Sequence, residues 1–299
     1  MIEFLHALPP LKARPVVSHK GTFGRVLVVG GSPTMLGAPV LAGTSALRAG
    51  SGLVQVAVHE SLLAGALGIT PELVGLSLST SKVSGLQLLA AGKAADAIVI
   101  GPGMGIEPAA ARRLASLLKL PQPKVIDADA INVLAAKPSY IRSLKGPMVI
   151  TPHPLELSRL CAGMKIRVDM KSISIDDEAR SAVALVVARR VEGVVLLKGH
   201  RTVVVDAAGP NPRQYTNKTG DSSLAKAGTG DVLAGLIGCL LGQAMSTFDA
   251  ACMAAWLHGR AGEIARALMG PRHVLARDVI TALPAAFADY EKRFGLGAA

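Results

Sequence analysis

The sequence predicts an α/β fold with a central, mostly parallel sheet and helices on both faces, and three observations predict it. Short runs of Val, Ile and Leu alternate with Ala/Leu-rich stretches of helical period. Several of these runs are nearly continuous in apolar residues, the mark of strands covered on both faces. Most of them end in loops loaded with Gly, Asp, His or Lys. The 299 residues suffice for one large α/β domain. No linker, repeat or low-complexity tract divides them, so 1–299 is expected to form a single domain.

The strand candidates in order are RVLVVGG at 25–31, LVQVAV at 53–58, AIVIGPG at 97–103, KVIDADA at 124–130, MVITPH at 148–153 and GVVLLKG at 193–199. Between some of them, 40–48, 108–118 and 176–190 have the period and composition of crossover helices. After Gly199 the pattern changes. TVVVD at 202–206 and RQYTN at 213–217 read as strands joined by the turn AAGPNP, and helices dominate from Asp231 onward.

Half of the residues are hydrophobic but only 3% are aromatic, so the core is expected to be aliphatic. The net charge of +11 suits a basic surface or a polyanionic small molecule. There is no Lys/Arg-rich run and few aromatics to stack on bases, so nucleic acid is not the expected partner. Cys161, Cys239 and Cys252 have no metal or disulfide spacing and read as buried thiols of a reducing compartment. The opening stretch MIEFLHALPPLKARP lacks a signal-peptide pattern, and no apolar segment is long enough to span a bilayer. A soluble, cytoplasmic protein without membrane contact is expected.

The strongest motif is NKTGDSSLAKAGTGD at 217–231, which runs straight into VLAGLIGCLL. A Gly-Thr-Gly turn (Gly228, Thr229, Gly230) opening a helix presents free N–H groups at a positive dipole end, which is an anion seat. Asp231 beside it would repel phosphate, so its use there is to take a proton from a group that attacks phosphate. The structural alternative is an ordinary helix N-cap. GPGMG at 101–105 leaves room for a ligand over a strand end, or simply makes a tight turn. DADAIN at 127–132 could hold Mg²⁺ through water or cap the next helix, the metal being the weaker reading. TPHP at 151–154 fixes His153 in a stiff loop, and Glu156 follows at a helix start. Lys198, Gly199, His200, Arg201 and Thr202 form a cationic turn that could flank nucleotide phosphates or be a charged hairpin. If the strands are parallel, these loops share one edge of the sheet, where α/β ligands bind.

Taken together, KGTFGRVLVVGGS, GAPVLAGTSALRAGSG, GPGMG, DADAIN, TPHP, LLKG and NKTG…AGTGDVLAG resemble, in order and from about His19 to Leu283, the ADP/ATP-dependent (S)-NAD(P)H-hydrate dehydratases of the ribokinase-like superfamily. The resemblance implies a ribokinase-like fold without the epimerase domain that some members carry in front. It implies a metabolite-repair lyase that dehydrates the S-epimer of hydrated NADH or NADPH. ADP or ATP is the co-substrate, and Mg²⁺ comes with the nucleotide rather than from a protein metal site. The ring hydroxyl is phosphorylated and phosphate is then eliminated. Asp231 would be the base and touch substrate, with Ala38, Gly105 and His153 as further substrate contacts. Lys198 to Thr202 and Gly228 to Gly230 would hold the nucleotide, and Asn132, Glu156 and Asn217 would contribute secondarily. A homotetramer is the implied assembly.

The chain departs from the family pattern at three places. Asp221 and Ser222 replace Asn-Pro, Ala227 replaces the first Gly before the Gly-Thr-Gly-Asp end, and Leu155 replaces a Gly after His-Pro. Asp221 is expected to repel phosphate or recruit a cation, and Ala227 to restrict the loop if that position needs positive φ. The alternatives are a small-molecule kinase of the same superfamily and a nucleotide-binding protein without turnover.

Overall fold

Alternation along each central strand decides which helical layer a side chain meets. The computed structural model describes residues 2–169, 176–209 and 211–297. The parallel part of the sheet contains β3 (Arg25–Val29), β4 (Leu53–His59), β5 (Val74–Leu78), β6 (Ala97–Ile100), β7 (Lys124–Ile126), β8 (Met148–Ile150) and β9 (Val194–Leu197). It is extended by β10 (Val203–Asp206) and β11 (Arg213–Thr216), and β1 (Glu3–Phe4) forms the edge. Among the described residues the order is β1-β11-β10-β9-β8-β7-β6-β3-β4-β5, and β10 runs antiparallel to both neighbours. A separate two-residue pair joins β2 (Leu11–Lys12) to β12 (Leu296–Gly297).

Val26, Val28, Val54, Val56, Val194 and Leu196 face one layer, while Leu27, Val29, Ala57, Val195 and Leu197 face the other. The first layer contains α1 (Gly37–Arg48), α2 (Glu60–Ile69), α8 (Thr229–Gly242), α9 (Thr247–Met269) and α10 (Ala276–Phe294). The second contains α3 (Lys82–Ala94), α4 (Pro108–Leu117), α5 (Asp129–Ala136), α6 (Pro154–Gly163) and α7 (Asp177–Val191). With so few aromatics the layers close by small residues. A side chain at Gly235 of α8 would collide with the Ala42 carbonyl of α1. The three cysteines are buried free thiols. Among the described residues no helix is long and apolar enough to cross a membrane.

The eight strands and three crossover helices expected from the sequence form close to their expected bounds. The turn expected at 207–212 includes Pro210, which lies outside the described residues. The edge strand β5 gave no continuous apolar run because its sequence VGLSL is largely half-buried or exposed. The polarity of the sheet places the ends of β3, β6, β7, β8 and β9 on one edge, as the loaded loops require. Sheet order reverses between β3 and β6, the crevice position where such folds bind ligands.

Candidate active site

Helix α8 starts at Thr229, and Gly228 before it adopts φ 88°. A side chain there would be strained and would press on Leu41 and Ala276. Ala227 is not among the positive-φ residues, so the expected restriction of the loop at that position does not arise. Asp231 lies in the first turn and makes no capping bond, which removes the N-cap explanation for it. The Thr229 hydroxyl shares its one proton between the carbonyls of Leu224 (2.8 Å) and Lys226 (2.9 Å), fastening the loop to the helix start.

Burial pushes the Asp231 carboxyl up from 3.8 to about 7, and Asp127, Asp129 and Glu156 add to the rise against the opposing charge of Lys198. A carboxylate in that range accepts and releases a proton near neutrality. Lys198 leaves the end of β9 and donates to Asp127 at 2.8 Å, with Glu156 at 3.8 Å. Burial opposes its charge, yet these carboxylates and Asp231 hold the ammonium above the ordinary lysine value. A Cβ at Gly230 would lie 3.5 Å from Lys198 Nζ, so the ammonium sits beside the helix start. Thr151 at the end of β8 donates to Asp127 at 2.7 Å.

On one side of this cluster lies a cleft of about 490 Å³, a volume suited to a small-molecule ligand. It is lined by the turn from Lys198 to Thr202, by Thr229 and Gly230, and by the segment 219–225. The turn is indeed a hairpin between β9 and β10, but it is held from below. The buried Arg180 guanidinium donates to the carbonyls of His200 (2.5 Å), Arg201 (3.2 Å) and Leu197 (3.3 Å). Arg201 pairs with Asp177. Asn217 borders the cleft as a brace: its amide donates to the carbonyls of Thr219 and Ala255, and its oxygen accepts from Tyr215 and Thr219. Asp221 accepts from Ser223 N–H at 2.8 Å and pairs with Arg266 at 3.1 Å. Its negative charge is therefore neutralised locally, contrary to the repulsive role expected from the sequence.

On the other side, the loop at 101–105 passes over the start of α1. A Cβ at Gly103 would lie 3.2 Å from that of Ala38, and Gly105 N–H donates to Asp129 at 2.9 Å. Asn132 joins Asp129 (3.4 Å) to Arg159 (3.1 Å). Asp129 thus serves the 101–105 loop instead of capping α5, which has no side-chain cap. His153 is the N-cap of α6: Nδ1 accepts from Leu155 and Glu156, while Glu156 accepts from His153 N–H at 2.9 Å. Burial and the cations Lys198 and Arg159 lower the His153 pKa, against the pull of Glu156. Glu156 combines this capping task with its contact to Lys198.

The structure thus gathers Asp231, Lys198, Gly230 and Glu156 at one point. Ala38 at the start of α1, Gly105 in the adjoining loop, Asn132 in α5 and His153 at the cap of α6 lie beside it, and His200 and Thr202 belong to the cleft wall. Sequence reasoning left Arg180, Arg159 and the Asp127–Lys198 pair without a role. Arg180 sits in a helix of ordinary composition, and Asp127 pairs with a residue 71 positions away.

Strand order and the position of this site at the carboxyl edge place the chain in the ribokinase-like class, the fold of solved structures that align along most of its length. The chain belongs to the NAD(P)H-hydrate dehydratase family, whose profile matches residues 26–285. It is 38% identical over 264 residues to the ADP-dependent (S)-NAD(P)H-hydrate dehydratase of Neisseria meningitidis, covering 87% of this chain and 83% of that one. It is also 38% identical over 289 residues to the bifunctional NAD(P)H-hydrate repair enzyme of Moorella thermoacetica, covering 94% of this chain. The chain spans about half the length of such bifunctional relatives, 52% in that case. Among solved structures, the ADP/ATP-dependent NAD(P)H-hydrate dehydratase of Bacillus subtilis, co-crystallised with ATP and Mg²⁺, is similar with a TM-score of 0.80 and 29% identity, covering 94% of this chain and 95% of that one.

Proposed function

We propose that this chain dehydrates the S-epimer of hydrated NADH or NADPH in a reaction driven by ADP or ATP. The observation that carries the reading is Asp231, an acid whose pKa burial pushes up to about 7, in the first turn of a helix whose N-cap Gly228 makes no side-chain capping bond. The nucleotide lies in the cleft under the braced turn, its terminal phosphoryl group against the N–H groups at Gly230 and the start of α8. The hydrated ring enters from the side of Ala38, Gly105 and His153. Asp231 takes the proton from the ring hydroxyl as its oxygen bonds to phosphorus and the bond to the nucleotide breaks. Hydroxide leaves poorly and phosphate leaves well. Phosphate then departs from the ring carbon, the neighbouring carbon loses a proton, and the double bond returns. Lys198 keeps the carboxylates around Asp231 from overwhelming the incoming anion.

The residues present suit a nucleotide-borne Mg²⁺. Asp127 and Glu156 are already engaged by Lys198, and Mg²⁺ ordinarily takes phosphate oxygens and waters in such sites. Bound with the nucleotide, the ion supplies charge neutralisation between the phosphates. A homo-oligomer, a tetramer by family resemblance, is part of the reading. Exposed Ile69, Val74, Val83 and Leu86 beside the edge strand β5 support contact between copies. A cytoplasmic location completes it.

The test incubates the protein with hydrated NADH or NADPH, Mg²⁺ and ADP or ATP, following reduced-nicotinamide absorbance and inorganic phosphate together. Equal recovery of both is expected. A stable phosphoester without recovered absorbance assigns a kinase instead, and nucleotide binding without either product ends the proposal.

A further inference from the structure

Two arginines stand side by side in α4, and the structure gives neither a carboxylate. Arg112 and Arg113 line a pocket of about 130 Å³ between α4 and the first turn of α3. It lies beyond the end of β5, at the opposite margin of the sheet from the hairpin of β9 and β10. None of its lining belongs to the nucleotide cleft or to the cluster around Asp231. Arg113 is half-buried and gives one N–H to the Ser79 carbonyl at 3.1 Å. Burial and the neighbouring charge of Arg112 both lower its pKa, and no carboxylate offsets them. Among the described residues no acidic side chain lies within ion-pair distance of either guanidinium. A guanidinium keeps its proton in proteins, so the two charges repel each other where they stand.

The opposite wall carries hydroxyls. Ser84 is 5% exposed, and its oxygen accepts from the Ser79 N–H at 2.9 Å. Among the described residues its own proton has no acceptor, which leaves a buried donor over. The Ser81 oxygen caps α3 by accepting from the Ser84 N–H at 3.1 Å, and it also accepts from the Ser79 hydroxyl at 2.9 Å. Its proton is likewise uncommitted. No acidic side chain lines the pocket. Guanidinium N–H groups face hydroxyl protons across a small space, and every one of these groups donates.

We infer that this pocket binds one phosphate-type oxyanion, either free inorganic phosphate or the phosphate end of a small monoester. Such an anion takes the fork of Arg112 and the remaining N–H groups of Arg113 on one side. On the other it takes the protons of Ser81 and Ser84. The first turn of the 13-residue helix α3 adds a positive dipole end. Sites for drug-sized ligands begin near about 300 Å³, so this one is too small for a nucleotide. The inference names no step of the dehydration and does not rest on it.

The experiment titrates the protein calorimetrically with sodium phosphate, and separately with glycerol 3-phosphate, in chloride buffer with saturating ADP and Mg²⁺. The nucleotide occupies the seat at α8, and the substitutions locate the ion whether or not ADP binds. The expected result is one anion per chain. Arg112→Gln and Arg113→Gln each raise its Kd about tenfold, the scale of one charge-assisted contact. Arg112→Lys recovers part of the loss, since it keeps the charge but not the fork. The Kd for ADP stays within about twofold in Arg112→Gln. The Arg112 side chain is exposed, so that variant serves even where Arg113→Gln fails to fold. Phosphate bound without the ester assigns the free ion, and an ester bound as tightly assigns a phosphorylated metabolite. No binding in wild type, binding that ADP abolishes, or a Kd that neither substitution moves overturns the inference.

Discussion

The two flanks of Asp231 are built from different material. On the flank proposed for the nucleotide, the cleft is lined by the start of α8 and the turn from Lys198 to Thr202. Their geometry is held from behind by buried side chains, Arg180 beneath the turn and Asn217 beside it. On the flank proposed for the dinucleotide, polar side chains hold one another: Asp129 with Asn132, Asn132 with Arg159, and His153 with Glu156. One flank suits an anion that must fit a fixed shape. The other can trade protons and charges. Asp231 stands between them, and burial first, with Asp127, Asp129 and Glu156 adding to it against Lys198, lifts its pKa far above that of a free carboxyl.

The largest effect should come from removing the boundary itself. Asp231→Asn should lower kcat by about 10²- to 10⁴-fold while nucleotide affinity survives, because the shape remains and the base is lost. Near-normal turnover would leave Asp231 without a catalytic role. The same variant should melt at a higher temperature at pH 8. Burial favours the protonated carboxyl in the folded chain, so its stabilising contribution is present below about 3.8 and is lost as pH rises through about 7. Asn avoids that loss, which for such a climb is about 4 kcal/mol at most.

Next in size is the pH dependence. A base that must be ionised should make kcat fall about tenfold per pH unit below 7, reaching about a hundredfold at pH 5. A limb centred near 4 instead would mean that the bound substrates offset the burial that raises the value, by placing hydrogen-bond donors or positive charge against the carboxylate. Either position is read from kcat measured across pH 3 to 8.5 at saturating substrates.

The contrast between flanks also explains what the sequence disclosed. Glycines mark places where backbone must come close, so Gly228, Gly230 and Gly105 were visible as letters before any coordinates. Alternation of apolar runs disclosed the parallel core for the same reason, since each residue there reports its own surroundings. Partnerships were hidden. Lys198 and Asp127 meet only because β9 and β7 flank β8 in the sheet, a fact of topology that neither local stretch contains. Asp221 looked like a charge facing phosphate, yet Arg266 from α9 answers it.

A smaller effect should separate the two flanks mechanically. Arg180→Met removes the cation under the hairpin and leaves several carbonyls unpaired. A stability loss of about 3 kcal/mol is expected from thermal or urea unfolding. In the folded fraction, the KM for nucleotide should rise about tenfold while the KM for dinucleotide stays within about twofold. A parallel rise in both would show that the flanks are not independently held.

The smallest effect concerns Asp221, where the sequence reading expected a departure from the family pattern. If Asp221 faced phosphate unshielded, Asp221→Asn would tighten nucleotide binding several-fold, most at low ionic strength. The structure pairs that carboxylate with Arg266 and with the Ser223 N–H, and its pKa is lowered although burial works the other way. Asn can keep the bond to Ser223, because an amide oxygen caps as well as a carboxylate. What is lost is one half-exposed ion pair, worth at most about 1 kcal/mol. Calorimetric titration with ADP should therefore give a Kd within about twofold of wild type, with little change in its salt dependence. A marked tightening at low salt would mean that the nucleotide draws Arg266 away from Asp221, and would move Arg266 onto the list of groups that the nucleotide flank lends to its ligand.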